Sequence, residues 1–227
     1  MSKKTSKYAG QLAASFLSVI IFMLMYILSG NGSRNAYRHF MKGTIGNTGR
    51  WMNTYGPEWF VDINKNISAL GGPAVFALIT AFVFILLIIA KEKKLLLEFS
   101  ITITGTIILM FILKYLLNAS RPADITKFIF NDDLGFPSGH AMSSLVLYSS
   151  LAVYASRKAA GAPARLTLMA IAVVTVILIG VSRLVVGAHT PEEVIAGWCA
   201  GIFWISLINF FFSRPGTAQQ VSLQIDE

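Results

Sequence analysis

Six apolar stretches, at roughly residues 9 to 29, 71 to 90, 99 to 117, 140 to 156, 166 to 186 and 193 to 213, constrain this chain more than anything else in it. A bilayer's hydrocarbon core of about 30 Å takes about 20 apolar residues in an α-helix, and backbone amides in lipid must be paired within their own segment. Five of the stretches have that length. The fourth is shorter and carries Ser143, Ser144, Ser149 and Ser150, so it fits as a span if those hydroxyls face the interior of a helix bundle. With 55% hydrophobic residues, only 13% charged ones and a mean hydropathy of +0.63, a two-domain soluble enzyme is a poor fit. The expectation is an all-α integral membrane protein, a six-transmembrane helix bundle forming a single membrane domain over residues 1–227.

A net charge of +8 raises nucleic acid as a partner. The basic residues instead stand in short groups beside the apolar stretches: Lys3, Lys4 and Lys7, then "KEKK" at 91 to 94, then Arg157, Lys158 and Arg165. That distribution is the one by which positive charge fixes topology against anionic headgroups, so the reading is a lipid bilayer and no nucleic acid. Six spans put both termini on one side, and the positive-inside rule makes that side cytoplasmic. The first stretch reads as an uncleaved signal anchor, because "SGNGSRNAYR" after it lacks a small-x-small cleavage pattern. The connection from 30 to 70 is then extracytoplasmic and holds a candidate interfacial helix, with Trp51 and Trp59 at headgroup depth. Cys199 has no second cysteine to pair with and reads as a small packing residue, and His39 as a surface or interfacial histidine. Gly197 and Gly201 predict a close helix contact within the chain.

The same topology gathers polar residues at one rim. Lys114 and Arg121 close the third stretch, Ser138, Gly139 and His140 open the fourth, Arg183 closes the fifth, and His189 and Glu193 open the sixth. Spans 3 and 5 run one way and spans 4 and 6 return, so all of these emerge on one side. Charge this near to hydrocarbon is costly. For Lys114, in "FILKYLL", either its ammonium snorkels to the headgroups or it has a partner inside. Cations converging at one rim would repel one another unless a polyanion joined them. In "PSGHA", Ser138 is a candidate N-cap and Gly139 permits close approach, so the helix start suits a phosphate. In "HTPEE", Thr190 to Glu193 matches a capping box, while Glu193 is also four residues from His189 and near enough to orient its ring. The spacing leaves those two roles of Glu193 open. Two histidines, two arginines, a lysine and a helix N-terminus suit phosphoryl transfer. A transporter or non-enzymatic binder of anionic lipid remains a second reading of the same residues.

The motifs resemble those of the type 2 phosphatidic acid phosphatase (PAP2) family. "KYLLNASRP", Lys114 to Pro122, matches its first motif, and "PSGH", Pro137 to His140, its second. "SRLVVGAHTPEE" matches its third, except that Glu193 stands where the family has aspartate. The resemblance implies His189 as the nucleophile forming a phosphohistidine, Glu193 as its orienting carboxylate and His140 as the acid for the leaving group. It implies Lys114, Arg121, Ser138, Gly139 and Arg183 as the residues that bind phosphoryl oxygens, and neither a cofactor nor a metal. The expected substrate is a membrane lipid phosphate or pyrophosphate, such as undecaprenyl pyrophosphate, phosphatidylglycerophosphate or phosphatidic acid. Lipid A phosphate and phosphotransfer between lipids stay as alternatives, and the oligomeric state stays open with a monomer among the options.

Overall fold

A computed structural model describes residues 3–45, 55–117 and 135–212. Among them the regular elements are eight α-helices: α1 (Lys3–Leu28), α2 (Asn31–Ile45), α3 (Glu58–Ala69), α4 (Pro73–Ile89), α5 (Lys93–Leu117), α6 (Gly139–Lys158), α7 (Ala162–Val185) and α8 (Pro191–Phe212). Among the described residues, five segments are long and apolar enough to cross a membrane: Tyr8–Leu28, Glu58–Ile89 (which joins α3 and α4), Lys93–Leu117, Ala162–Val185 and Pro191–Phe212. This is an all-helical, multi-pass membrane protein.

The weakest apolar stretch turns out to be the central helix. At 20 residues α6 has the length of a span, but its sequence is too polar to be counted with the other five. It packs against α4, α5, α7 and α8, so protein and not lipid surrounds much of it, with Ala141, Met142, Ser144, Val146, Leu147, Ser150 and Ala152 buried. Its hydroxyls turn back onto their own helix: Ser143 Oγ donates to the Gly139 carbonyl at 2.8 Å and Ser144 Oγ to that of Ala141 at 3.2 Å. A helix shielded by its neighbours has no need of lipid-compatible side chains.

Helix pairing follows the small-residue rule for membranes, where association depends on van der Waals contact more than on expulsion of water. Ala196, Cys199 and Ala200 of α8 form a shallow strip that receives Phe22 of α1, with Ile21 and Met25 beside it. Cys199 is a buried packing residue. On another face of α8, a Cβ at Gly197 would lie 2.5 Å from the Ser138 carbonyl oxygen and 3.0 Å from Ala141 Cβ, closer than any side chain permits. Gly201 meets Leu145 and Met142 of the same helix, α6, so both glycines serve a contact within the chain.

The connection between α1 and α4 is helical in both described parts. Tyr37 Oη of α2 donates to the Leu184 carbonyl at 3.0 Å, and its ring meets Tyr55 edge-on at 5.9 Å. Tyr55 N donates in turn to the Val185 carbonyl at 3.0 Å. Burial, with Tyr55 and Glu192 nearby, pushes the Tyr37 phenol well above its usual range, so it remains a donor. These bonds dock α2 over the end of α7. Trp59 and His39 are exposed, and Trp51 lies outside the described residues.

Candidate active site

The turn from α7 to α8 sets the position of His189. Gly187, at φ +66°, is in the left-handed region that favours glycine. Its amide donates to the Leu184 carbonyl and the next amide, Ala188, to that of Arg183, both at 3.0 Å. This is the Schellman termination of a helix. His189 N adds a third bond, to the Arg183 carbonyl at 3.2 Å. The backbone of one phosphate-binding candidate thus carries the histidine six residues on.

Pro191 then opens α8, and Glu193 reaches back. Its Oε2 accepts from the Thr190 amide at 3.3 Å and lies 2.8 Å from His189 Nδ1. One oxygen therefore does both jobs that the spacing left open. The capping box is formed on one side only, since Thr190 Oγ1 is buried without a hydrogen-bond partner among the described residues. An ionised carboxylate can only accept, so with Glu193 ionised and the ring neutral the His189 proton would sit on Nδ1 and leave the lone pair on Nε2. The extra methylene of glutamate relative to aspartate does not prevent that contact.

The other oxygen has a partner that sequence reasoning missed. Arg34 of α2 brings Nη2 to 3.0 Å and Nε to 3.2 Å of Glu193 Oε1, with the two side chains 11% and 3% exposed. Next to it, Ser33 Oγ donates to Glu192.

The start of α6 is fixed against this unit. Ser138 N donates to the backbone carbonyl of Glu193 at 2.9 Å, and Ser138 Oγ caps the helix by accepting from Ala141 N at 3.5 Å. Of the first-turn amides, that of Ala141 is thereby directed to the cap and not to a ligand. The Phe136–Pro137 peptide is cis, and the Phe136 ring packs edge-on against Phe22 and Tyr26 of α1 at 5.5 and 5.4 Å.

Gly139, His140, Lys114, Arg183 and His189 all line one cavity of about 350 Å3. Lys114 is only 8% exposed, so its ammonium turns inward and does not snorkel. Arg183, 3% exposed, donates from Nη1 to Ser68 Oγ at 2.6 Å. Gly71 and Gly72, between α3 and α4, lie against His140, where a Cβ on Gly72 would be 3.7 Å from its Nε2. The remaining wall is mainly apolar and comes from α4 and α5, with Phe76, Ile107, Met110 and Phe111. Phe111 is well exposed on the membrane-facing side of α5, so this wall continues to the protein surface. Of the eight expected site residues, five line the cavity, while Ser138 and Glu193 stand behind it. Arg121 lies outside the described residues.

The PAP2 superfamily model matches residues 94–215, which include both histidines and every site element except α2, α3 and α4. The chain belongs to the PAP2 superfamily. It is a membrane-embedded phosphatase of that family. Among curated proteins it is similar to an undecaprenyl-diphosphatase from Sulfolobus acidocaldarius, 26% identical over 160 residues, 68% of this chain and 71% of the relative. Among solved structures it is similar to a transmembrane PAP2-type phosphatidylglycerolphosphate phosphatase from Bacillus subtilis. There the TM-score is 0.72 at 19% identity, covering 88% of this chain and 96% of the other, which establishes the common fold.

Proposed function

We propose that this PAP2 protein hydrolyses a phosphate monoester or pyrophosphate on a membrane lipid, with His189 as covalent nucleophile and no metal. The single observation that carries this reading is the 2.8 Å His189 Nδ1 to Glu193 Oε2 contact behind a ring that lines the same cavity as His140, Lys114 and Arg183. His189 Nε2 attacks phosphorus as the P–O bond to the leaving group breaks, and His140 protonates the departing oxygen. The imidazolium character that develops on His189 is balanced by Glu193. Lys114, Arg183 and the first turn of α6 at Gly139 stabilise charge on the equatorial phosphoryl oxygens, with Arg121 assigned to the same task from its motif. Water, deprotonated by His140, then cleaves the P–N bond, releasing phosphate and restoring neutral His189.

The apolar wall from α4 and α5 favours a substrate whose phosphate enters the polar end while its tails stay beside Phe111 in the bilayer. Polyprenyl pyrophosphates and phosphatidylglycerophosphate are the first candidates, given what the two relatives act on. The distribution of Lys and Arg supports cytoplasmic termini and a reaction on the extracytoplasmic face of the cytoplasmic membrane.

The test is phosphate release from a panel of lipid phosphates and pyrophosphates by protein in nanodiscs, with excess EDTA present throughout. Turnover by the wild type and none by a folded His189→Asn variant is expected. Turnover in that variant refutes the nucleophile, loss in EDTA refutes metal independence, and a phosphorylated lipid acceptor in place of free phosphate refutes hydrolysis.

A further inference from the structure

We propose that Arg34 is a positioning residue of this reaction: its guanidinium holds the outer oxygen of Glu193 so that the inner oxygen stays on His189 Nδ1 and the imidazole stays neutral, ready to attack. The inference rests on the phosphohistidine reading above, and it concerns a residue outside all three motifs and outside the segment that the family model covers.

The carboxylate of Glu193 is almost wholly shielded, and a buried charge needs compensation from every side. Oε2 receives His189 Nδ1 and the Thr190 amide, while Oε1 receives Nη2 and Nε of Arg34 at 3.0 and 3.2 Å. Two adjacent donors of one planar group on a single oxygen restrict its rotation more than an ammonium would. Glutamate has one more rotatable bond than aspartate, so a longer arm here is held at its tip. Arg34 does not line the cavity, and therefore acts on substrate only through Glu193 and His189.

The guanidinium also decides where a proton resides. Without it, Glu193 would be a buried anion paired mainly with His189, and a proton taken up from solvent would be held tightly between them. A His189 that took up that proton would be an imidazolium without a lone pair on Nε2 and unable to attack. Among the described residues, the charged and titratable groups around the pair include Arg34 and Tyr37 from α2, Lys114 from α5, His140 from α6, Arg183 from α7 and Glu192 on α8 itself, which is engaged by Ser33. Arg34 touches the carboxylate directly, so its removal acts most strongly on that proton. Since lost positive charge makes the pair bind the proton more tightly, the acid limb of kcat/KM must move to higher pH.

The experiment compares pH profiles of wild type, Arg34→Ala, Arg34→Lys and Tyr37→Phe in nanodiscs, on the best substrate of the panel, with thermal melting for each. Arg34→Ala is expected to shift the acid limb upward by about one pH unit, to lower kcat on the plateau several-fold and to leave KM nearly unchanged. Arg34→Lys should keep the limb near its wild-type position. Tyr37→Phe removes the α2 bond to the Leu184 carbonyl and should lower the melting temperature without moving the limb. An unmoved limb in Arg34→Ala, or an equal shift in Tyr37→Phe, overturns the inference. If Arg34→Ala does not fold, Arg34→Gln takes its place, and identical limbs in the Gln and Lys variants overturn it equally. An inactive His189→Asn alongside an unshifted Arg34→Ala rejects only the role of Arg34, whereas active His189→Asn rejects the underlying mechanism.

Discussion

Replacing Glu193 by glutamine tests the centre of the mechanism, because the amide keeps the shape of the side chain and removes its charge. The two oxygens now have defined partners, and a carboxamide cannot satisfy both sets. If its oxygen faces His189 and the Thr190 amide, its NH2 points at the Arg34 guanidinium, donor against donor. If the amide flips to suit Arg34, its NH2 donates to His189 Nδ1, which drives the ring proton onto Nε2 and blocks the attacking lone pair. The lost electrostatic support is also large. Charge centres about 4 Å apart, as the 2.8 Å contact implies, interact by about 4 kcal/mol at an effective dielectric of 20, roughly a thousandfold in rate. The expected result is a fall in kcat on the order of a thousandfold with a much smaller change in KM, since Glu193 stands behind the cavity. Single-turnover phosphate release at saturating lipid, paired with a binding measurement, separates the two. A Glu193→Gln variant that turns over within about threefold of wild type, and differs only by melting earlier, would mean that the carboxylate merely caps α8.

Two further variants probe the supports of the site. Gly197→Ala puts a methyl where only 2.5 Å separates it from the Ser138 carbonyl; overpacking of about 1–3 kcal/mol should lower the melting temperature and, by displacing the α6 start, depress kcat as well, while wild-type behaviour would show that the helices part easily. Ser68→Ala removes the hydroxyl that accepts from Arg183 Nη1, and a bond to a charged group of about 1.5–3 kcal/mol makes a KM rise of about tenfold or more the expected outcome of steady-state assays; an unchanged KM would show that Arg183 is held in place without it.

What the sequence disclosed about this fold and site was set by local chemistry. The caps at Ser138 and before Glu193 act over three or four residues, so a reader of "PSGHA" and "HTPEE" can see both helix starts and the histidines beside them. The convergence of Lys114, His140, Arg183 and His189 follows from counting spans, because alternate helices must return to the same rim. The role of Lys114 was undecided for a different reason: hydropathy records that a lysine is near lipid but not which way its stem turns, and burial decides that it turns inward. Arg34 was illegible because 159 residues separate it from Glu193, and in a 40-residue connection it looked like one more scattered cation. Ser68 and the Gly71–Gly72 pair were hidden likewise, since their significance arises only where α3 meets α7 and α6. The polarity of α6 weakened its reading as a span, yet a centre sheathed by other helices is where such polarity is tolerated.

The amide of Ser138 and the carbonyl of Glu193 join the two histidine-bearing segments through main chain alone. Short of proline at position 138, no substitution deletes either group, so the link between the His140 and His189 segments persists whatever other side chains change around it. The apolar wall from α4 and α5 can therefore change in shape while the His140 and His189 segments keep their mutual register.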